Sequence, residues 1–287
     1  MVAEVYSASC LIHIERCKNK LLCSACPPTD SNFNNHLRLP VHQEGIKKLH
    51  PMTKNILRIL LVLVVALVQL PSMAQNVQFH YDFGHSMYDE TSTRPEFTTT
   101  VEMFRADKWG STFFFVDMDY AHHEVSSAYW EIAREFNMGS LPFSLHLEYN
   151  GGLNYIKDAY LAGVTYAWNN PNYTRGITFT PMYKYIYGNE NPHNFQLTST
   201  WYVHLFNKKI SFTGFADLWQ EKHTDCKGKE HHFTFLAEPQ LWINLNRFSW
   251  IDDDFNLSIG GEVELSNNFA TMHGFYAIPT LAVKWEF

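Results

Sequence analysis

Cysteine is scarce, and four of the five, Cys10, Cys17, Cys23 and Cys26, fall within the first 26 residues. Beyond residue 74 only Cys226 remains, which excludes an intrachain disulfide framework there. Cys23-x-x-Cys26 has no second CxxC to complete a zinc site and no βαβ setting for a redox pair, so no metal is assigned to it. Positive charge is also short. From Gln75 to Phe287, 14 Lys and Arg stand against 25 Asp and Glu, a balance of −11. That deficit excludes a nucleic-acid polymer as partner, since phosphates require a basic face. No Gly-x-Ser-x-Gly element occurs and the serines have no distinctive setting, so the chain is read as non-enzymatic, with no cofactor expected. After Gln75 no apolar run is long enough for a transmembrane helix, which leaves a β-barrel as the spanning structure open to this chain.

The one long apolar run lies earlier. Lys54 and Arg58 form a basic start, Ile59 to Val68 an unbroken apolar stretch, and Ser72 and Ala74 the small residues of a cleavage site before Gln75. The stretch is well short of the ~20 residues a membrane-spanning helix needs. Residues 52–74 are therefore expected to be a signal peptide, with Met52 the true start and 1–51 an upstream extension. Residues 75–287 form the mature chain.

That chain alternates. At its end, Phe275, Ala277, Leu281, Val283, Trp285 and Phe287 share one side, with Tyr276, Thr280, Lys284 and Glu286 opposite. The same period of two runs through Phe143, Leu145, Leu147 and Tyr149 against Ser144, His146, Glu148 and Asn150, and through residues 194–206 and 255–266. Strands are predicted at 77–83, 95–105, 109–120, 126–136, 142–150, 159–168, 175–187, 194–206, 209–220, 232–245, 255–266 and 274–287, each ended by Gly, Pro, Asn or charge. Strand 109–120 has no clear face, because Phe113, Phe114, Phe115 and Val116 are continuous. The expected fold is all-β, a single transmembrane antiparallel β-barrel of about 12 strands in the outer membrane, with lipid outside and polar residues within. Both termini are expected on the periplasmic side. Compact links such as 105–108 and 207–208 then become periplasmic turns, and 84–94, 151–158 and 221–231 external loops. A single closed barrel is expected to be monomeric.

On this reading the lumen carries Asp82, Glu96, Glu102, Asp117, Glu131, Glu148, Glu238, Glu262 and Glu264, faced mainly by Lys184 and Lys284. Carboxylates at membrane depth are tolerated only when wet or paired, which places them inside. Glu102, Asp117, Glu131, Glu148, Lys184, Glu262 and Glu264 are the candidate lumen-lining and solute-binding residues. An acidic lining favours cations and neutral polar solutes. Two histidine pairs, His122-His123 beside Glu124 and His231-His232 with Cys226, sit in predicted loops and are read as solvated rather than as metal ligands.

The stretch from Thr100 to Tyr120, together with Tyr129–Phe136 and Ser211–Asp217, resembles the Tsx family of nucleoside-specific channel-forming outer-membrane proteins: an acidic strand, a short Asp/Lys-Trp turn, and an aromatic strand reaching Asp. The mature chain is closer still to a Tsx-like group described only as a domain of unknown function. The resemblance implies a twelve-stranded barrel with a narrow lumen, outer-membrane lipid and a small polar solute as partners, and nucleosides as a solute by analogy. By resemblance to other barrels, the terminal strand with Phe287 is the signal read by the barrel-assembly machinery. A structural or adhesive barrel with a plugged lumen is the alternative function, and a rim hydrolase the third.

Overall fold

The computed structural model describes residues 74–121, 124–153 and 156–287. The expected upstream extension and the body of the signal peptide lie outside these, as do His122 and His123. Strands follow one another along the described chain: β1 (Ala74–Asp82), β2 (Phe97–Asp107), β3 (Gly110–Ala121), β4 (Glu124–Asn137), β5 (Phe143–Gly152), β6 (Ala159–Asn169), β7 (Arg175–Ile186), β8 (His193–Leu205), β9 (Ile210–Thr224), β10 (Glu230–Ala237), β11 (Gln240–Asn244), β12 (Leu257–Asn267) and β13 (Phe275–Glu286). Each pairs antiparallel with its neighbours, and β13 pairs with β1 from Glu286↔Asn76 to Thr280↔Asp82, closing the sheet. Closure leaves no free edge, so backbone groups are paired within the wall.

β10 and β11 are two halves of one stave. Both pair with β9 on one side and β12 on the other. Counted so, the thirteen segments make a twelve-stranded barrel. The predicted continuous strand 232–245 breaks at Glu238-Pro239, because proline has no N–H to give the ladder. Gly214 sits opposite with φ +157, and a Cβ there would lie 2.6 Å from the Glu238 carbonyl oxygen.

Local chemistry sets the turns at the end that carries Ala74 and Phe287. Asp107 Oδ1 accepts the backbone N–H groups of Trp109 and Gly110 at 2.8 and 3.1 Å, so the link narrows to Lys108-Trp109 rather than spanning 105–108. Asn170 Oδ1 does the same for Thr174 and Arg175. Phe206, Asn207 and Lys208 turn the chain in three successive left-handed residues. At the opposite end the hairpins reach further than the sequence pattern indicates: β5 runs to Gly152, β9 to Thr224, and β10 starts at Glu230.

The outer surface is apolar. Phe79, Ile132, Leu145, Leu147, Phe179, Leu197, Leu241, Ile259, Leu281 and Val283 are all exposed there. Trp109, Phe206, Trp250 and Phe287 crowd the terminal end, and Phe83, Phe97, Tyr187 and Phe275 the other. An apolar band between two aromatic girdles is the surface a lipid bilayer requires. No helix among the described residues is long and apolar enough to cross a membrane.

Candidate functional site

The inward faces carry the chemistry. The period of two, locked by register, points Asn76, Gln78, His80 and Asp82 of β1 inward beside Thr98, Thr100 and Glu102 of β2, and all are buried. Register also decides strand β3. Phe113, Phe115, Asp117 and Asp119 are buried inside, while Phe114, Val116 and Met118 turn outward. A run of aromatics that has no face in sequence acquires one from its pairing with Phe104 and Glu102.

The interior is a set of linked polar clusters. Near β1, the Arg94 Nη2 donates to Asp82 Oδ2 and to Glu264 Oε2, both at 2.8 Å. Glu262 accepts from Gln240 Nε2 at 2.9 Å and lies 3.3 Å from His80 Nδ1. Gln240 in turn accepts from the Trp242 indole at 3.0 Å, and Lys284 Nζ sits 4.7 Å from the centre of that ring. Glu102 accepts from Asn76 at 3.0 Å. Asp117 accepts from Thr100, and Asp119 from Thr98 and Ser127.

Across the lumen, His146 bridges Glu135 and Glu148 at 2.7 and 2.9 Å, with Ser144 and Thr165 also donating to Glu135. Lys184 donates to Gln196 at 2.8 Å and lies over Trp219 at 4.9 Å, and Thr198 donates to Asp217 at 2.5 Å. Glu131 is half-buried beside the Tyr129 hydroxyl at 3.5 Å.

The candidate residues thus fall into three groups. Glu262 and Glu264 meet in the β1 cluster, Glu102 and Asp117 lie along β2 and β3, and Glu148 joins Glu131 and Lys184 on the far wall. Glu96 is not part of the wall. It precedes β2 and is exposed, 3.9 Å from His85.

Carboxyl groups outnumber the arginine and lysine side chains in this interior. Among the described residues, Arg94, Lys184 and Lys284 are the permanent cations placed with Asp82, Glu102, Asp117, Asp119, Glu131, Glu135, Glu148, Asp217, Glu238, Glu262 and Glu264. One buried oxygen each of Asp117, Glu148 and Glu264 has no hydrogen-bond partner among the described residues. Buried carboxylates are costly unless solvated or matched by a cation.

Two features were not legible in sequence. The first is Arg94, which stands in a predicted loop. After β1 the chain makes a single-turn helix, α1 (Gly84–Met87), then a short 3₁₀ turn, and returns with Arg94 buried in the lumen. Gly84 permits this, since a Cβ would meet Asp82 Oδ1 at 2.7 Å. The second is an aromatic cluster, Phe104, Phe113, Phe115, Tyr129, Phe215 and Trp219, joined by Phe269 from the β12–β13 loop and Ile156 from the β5–β6 loop. Trp219 meets Phe269 edge-on at 5.9 Å. Of the loop histidines read as solvated, His231 is buried, while His232 stays exposed.

Residues 74–287 match the family model described as a domain of unknown function, DUF5020. The chain belongs to the DUF5020 family. No curated protein matches its sequence. Among solved structures, this DUF5020 chain is similar to the NanC porin, at 10% identity and a TM-score of 0.48, covering 74% of this chain and 98% of that one. It is also similar to LpxR from Salmonella typhimurium, at 8% identity and 0.43, covering 75% and 100%. The Acinetobacter baumannii outer membrane protein Omp33 follows at 13% identity and 0.37, covering 75% and 98%.

Proposed function

We propose that this protein resides in the outer membrane as a monomeric barrel and passes small polar solutes, with cations and neutral molecules preferred over anions. The excess of buried carboxylates over Arg94, Lys184 and Lys284 supports this most directly, because a purely structural filling would pair its charges. The outward apolar band with its aromatic girdles supports the location. The finer suggestion is a nucleoside. Phe115, Tyr129 and Trp219 are buried together beneath Phe269 and would offer faces for a base to stack on once that loop withdraws, and the neighbouring hydroxyls, amides and carboxylates suit a ribose. That suggestion rests on the Tsx-like stretches and on this pairing of groups.

A second reading is favoured by one observation. Arg94 and Phe269 enter the lumen from loops at the same end and pack into it, as a plugged barrel with a structural or adhesive role requires. Purified protein in planar bilayers separates the two. Discrete conductance with a cation-selective reversal potential in a KCl gradient is expected, with partial block by added nucleoside. Silence across many insertions would replace the channel with the plugged barrel, and conductance indifferent to nucleosides would remove the finer suggestion alone.

A further inference from the structure

At the loop end, outside the lumen clusters, three ligand-type side chains from two separate chain segments converge. Asp225 sits in the turn between β9 and β10, His231 on β10, and His273 in the β12–β13 loop. Asp225 Oδ1 accepts the backbone N–H groups of Lys227 and Lys229 at 2.9 and 2.8 Å, which fixes the carboxylate. Its Oδ2 then lies 2.8 Å from His231 Nε2 and 2.6 Å from His273 Nδ1. The three ligand atoms all fall within 4.8 Å of one another. Burial opposes the charge on Asp225, but the bonds from His231, Lys229, His273 and Lys227 outweigh it and hold the carboxyl below the usual range.

We propose that Asp225, His231 and His273 bind a divalent transition-metal ion of the zinc class, stapling the β9–β10 hairpin to the β12–β13 loop. Two imidazoles and one carboxylate suit Zn²⁺, Co²⁺ or Ni²⁺, whereas Mg²⁺ and Ca²⁺ call for oxygen donors throughout. Bonds of about 2.0–2.2 Å to a tetrahedral ion set ligand atoms roughly 3.4 Å apart. The two spacings from Asp225 Oδ2 to the imidazoles therefore need to open by less than about 1 Å. His273 has the freedom to do so, being about a third exposed on a loop, and its exposed side leaves a fourth position for water. His231 is held more firmly, stacked on His223 with ring centres 5.5 Å apart.

The staple has a consequence for the lumen, which rests on the channel reading. The β12–β13 loop carries Phe269, and the Cys226 N–H already donates to the Thr271 carbonyl at 2.8 Å. Metal bound at its far end would hold this loop, and the phenylalanine with it, in the barrel mouth.

The test uses the full barrel without a polyhistidine tag, in detergent micelles, with each variant's fold checked by heat-modifiable gel mobility. After chelation and desalting, Zn²⁺ titrated by calorimetry is expected to bind at one per barrel, and Co²⁺ to give visible ligand-field bands. His273→Gln and His231→Gln should each lower Co²⁺ affinity at least tenfold, while His232→Gln, an exposed neighbour, binds as the parent does. No saturable binding, or full binding by a folded His273→Gln barrel, would overturn the site. Zn²⁺ should also lower conductance in the parent and not in His273→Gln. Stoichiometric binding to a barrel that never conducts would uphold the site and count against the channel.

Discussion

Replacing Arg94 with Met keeps the bulk of the side-chain stem and removes the guanidinium. Arg94 Nε and Nη2 donate to Asp82 Oδ2 at 3.1 and 2.8 Å, and Nη2 donates to Glu264 Oε2 at 2.8 Å. The side chains of all three residues are 1–4% exposed, so solvent screening gives little relief. Each charge-assisted bond is worth about 1.5–3 kcal/mol, but two of the three share one nitrogen and do not add. The better measure is a buried pair broken by losing one partner, about 3–5 kcal/mol, since two carboxylates are left without their cation. With a urea slope of about 1–3 kcal/mol per molar, the unfolding midpoint should fall by at least about 1 M. The assay is urea unfolding of the barrel in lipid vesicles, followed by heat-modifiable mobility and tryptophan fluorescence. A cycle of Arg94→Met, Glu264→Gln and the double variant should show coupling of about 1–3 kcal/mol, because the neutral amide no longer needs the guanidinium. A loss under about 0.5 kcal/mol for Arg94→Met, or no coupling, would refute the lumenal role assigned to this loop. If the channel reading is right, the same variant frees the loop and raises single-channel conductance.

Changing Glu102, Asp117, Glu131 and Glu262 together to their amides should lower cation selectivity. An unchanged reversal potential from an intact barrel would show that these groups serve only the wall. Gly110→Ala should cost at least about 1–3 kcal/mol, since φ is +155 and the added Cβ falls 1.9 Å from the Glu135 carbonyl oxygen; parental stability would refute it. The carboxyl of Asp225 should titrate below the ordinary value of about 4. Because its pKa is depressed in the folded protein, the stability it lends is complete above that ordinary value and lost as pH falls through the depressed one. A carboxyl ¹³C titration of metal-free protein with a midpoint at or above pH 4 would contradict the hydrogen-bond set drawn for it.

Most of the wall was legible because the relevant pattern is local. Alternation of Ser144, His146, Glu148 and Asn150 with Phe143, Leu145, Leu147 and Tyr149 is a property of eight consecutive residues, and the strand obeys it: the polar set is buried within and the apolar set faces out. A backbone of period two, in an environment with two unlike sides, leaves such a segment no other orientation. The strand predicted over 232–245 is interrupted at Pro239, and Gly214 in the neighbouring stave, with φ +157, leaves room for the break. In β3, four apolar residues in a row erased the alternation, and only pairing with β2 and β4 assigned Phe113 and Phe115 to the interior.

What the tertiary structure alone decided is which distant residues meet. Arg94 reaches Glu264 across 170 positions, and Asp225 reaches His273 across 48. Loops carry no periodicity to announce whether they stand in solvent or fold inward, and a lone arginine among Thr, Ser and Pro reads as solvated. Its burial follows from the carboxylates that barrel closure places beside it: β1 supplies Asp82 and β12 supplies Glu264, strands from opposite ends of the chain brought together by the pairing of β1 and β12 with β13. The unsatisfied charge so created is what draws the loop into the lumen.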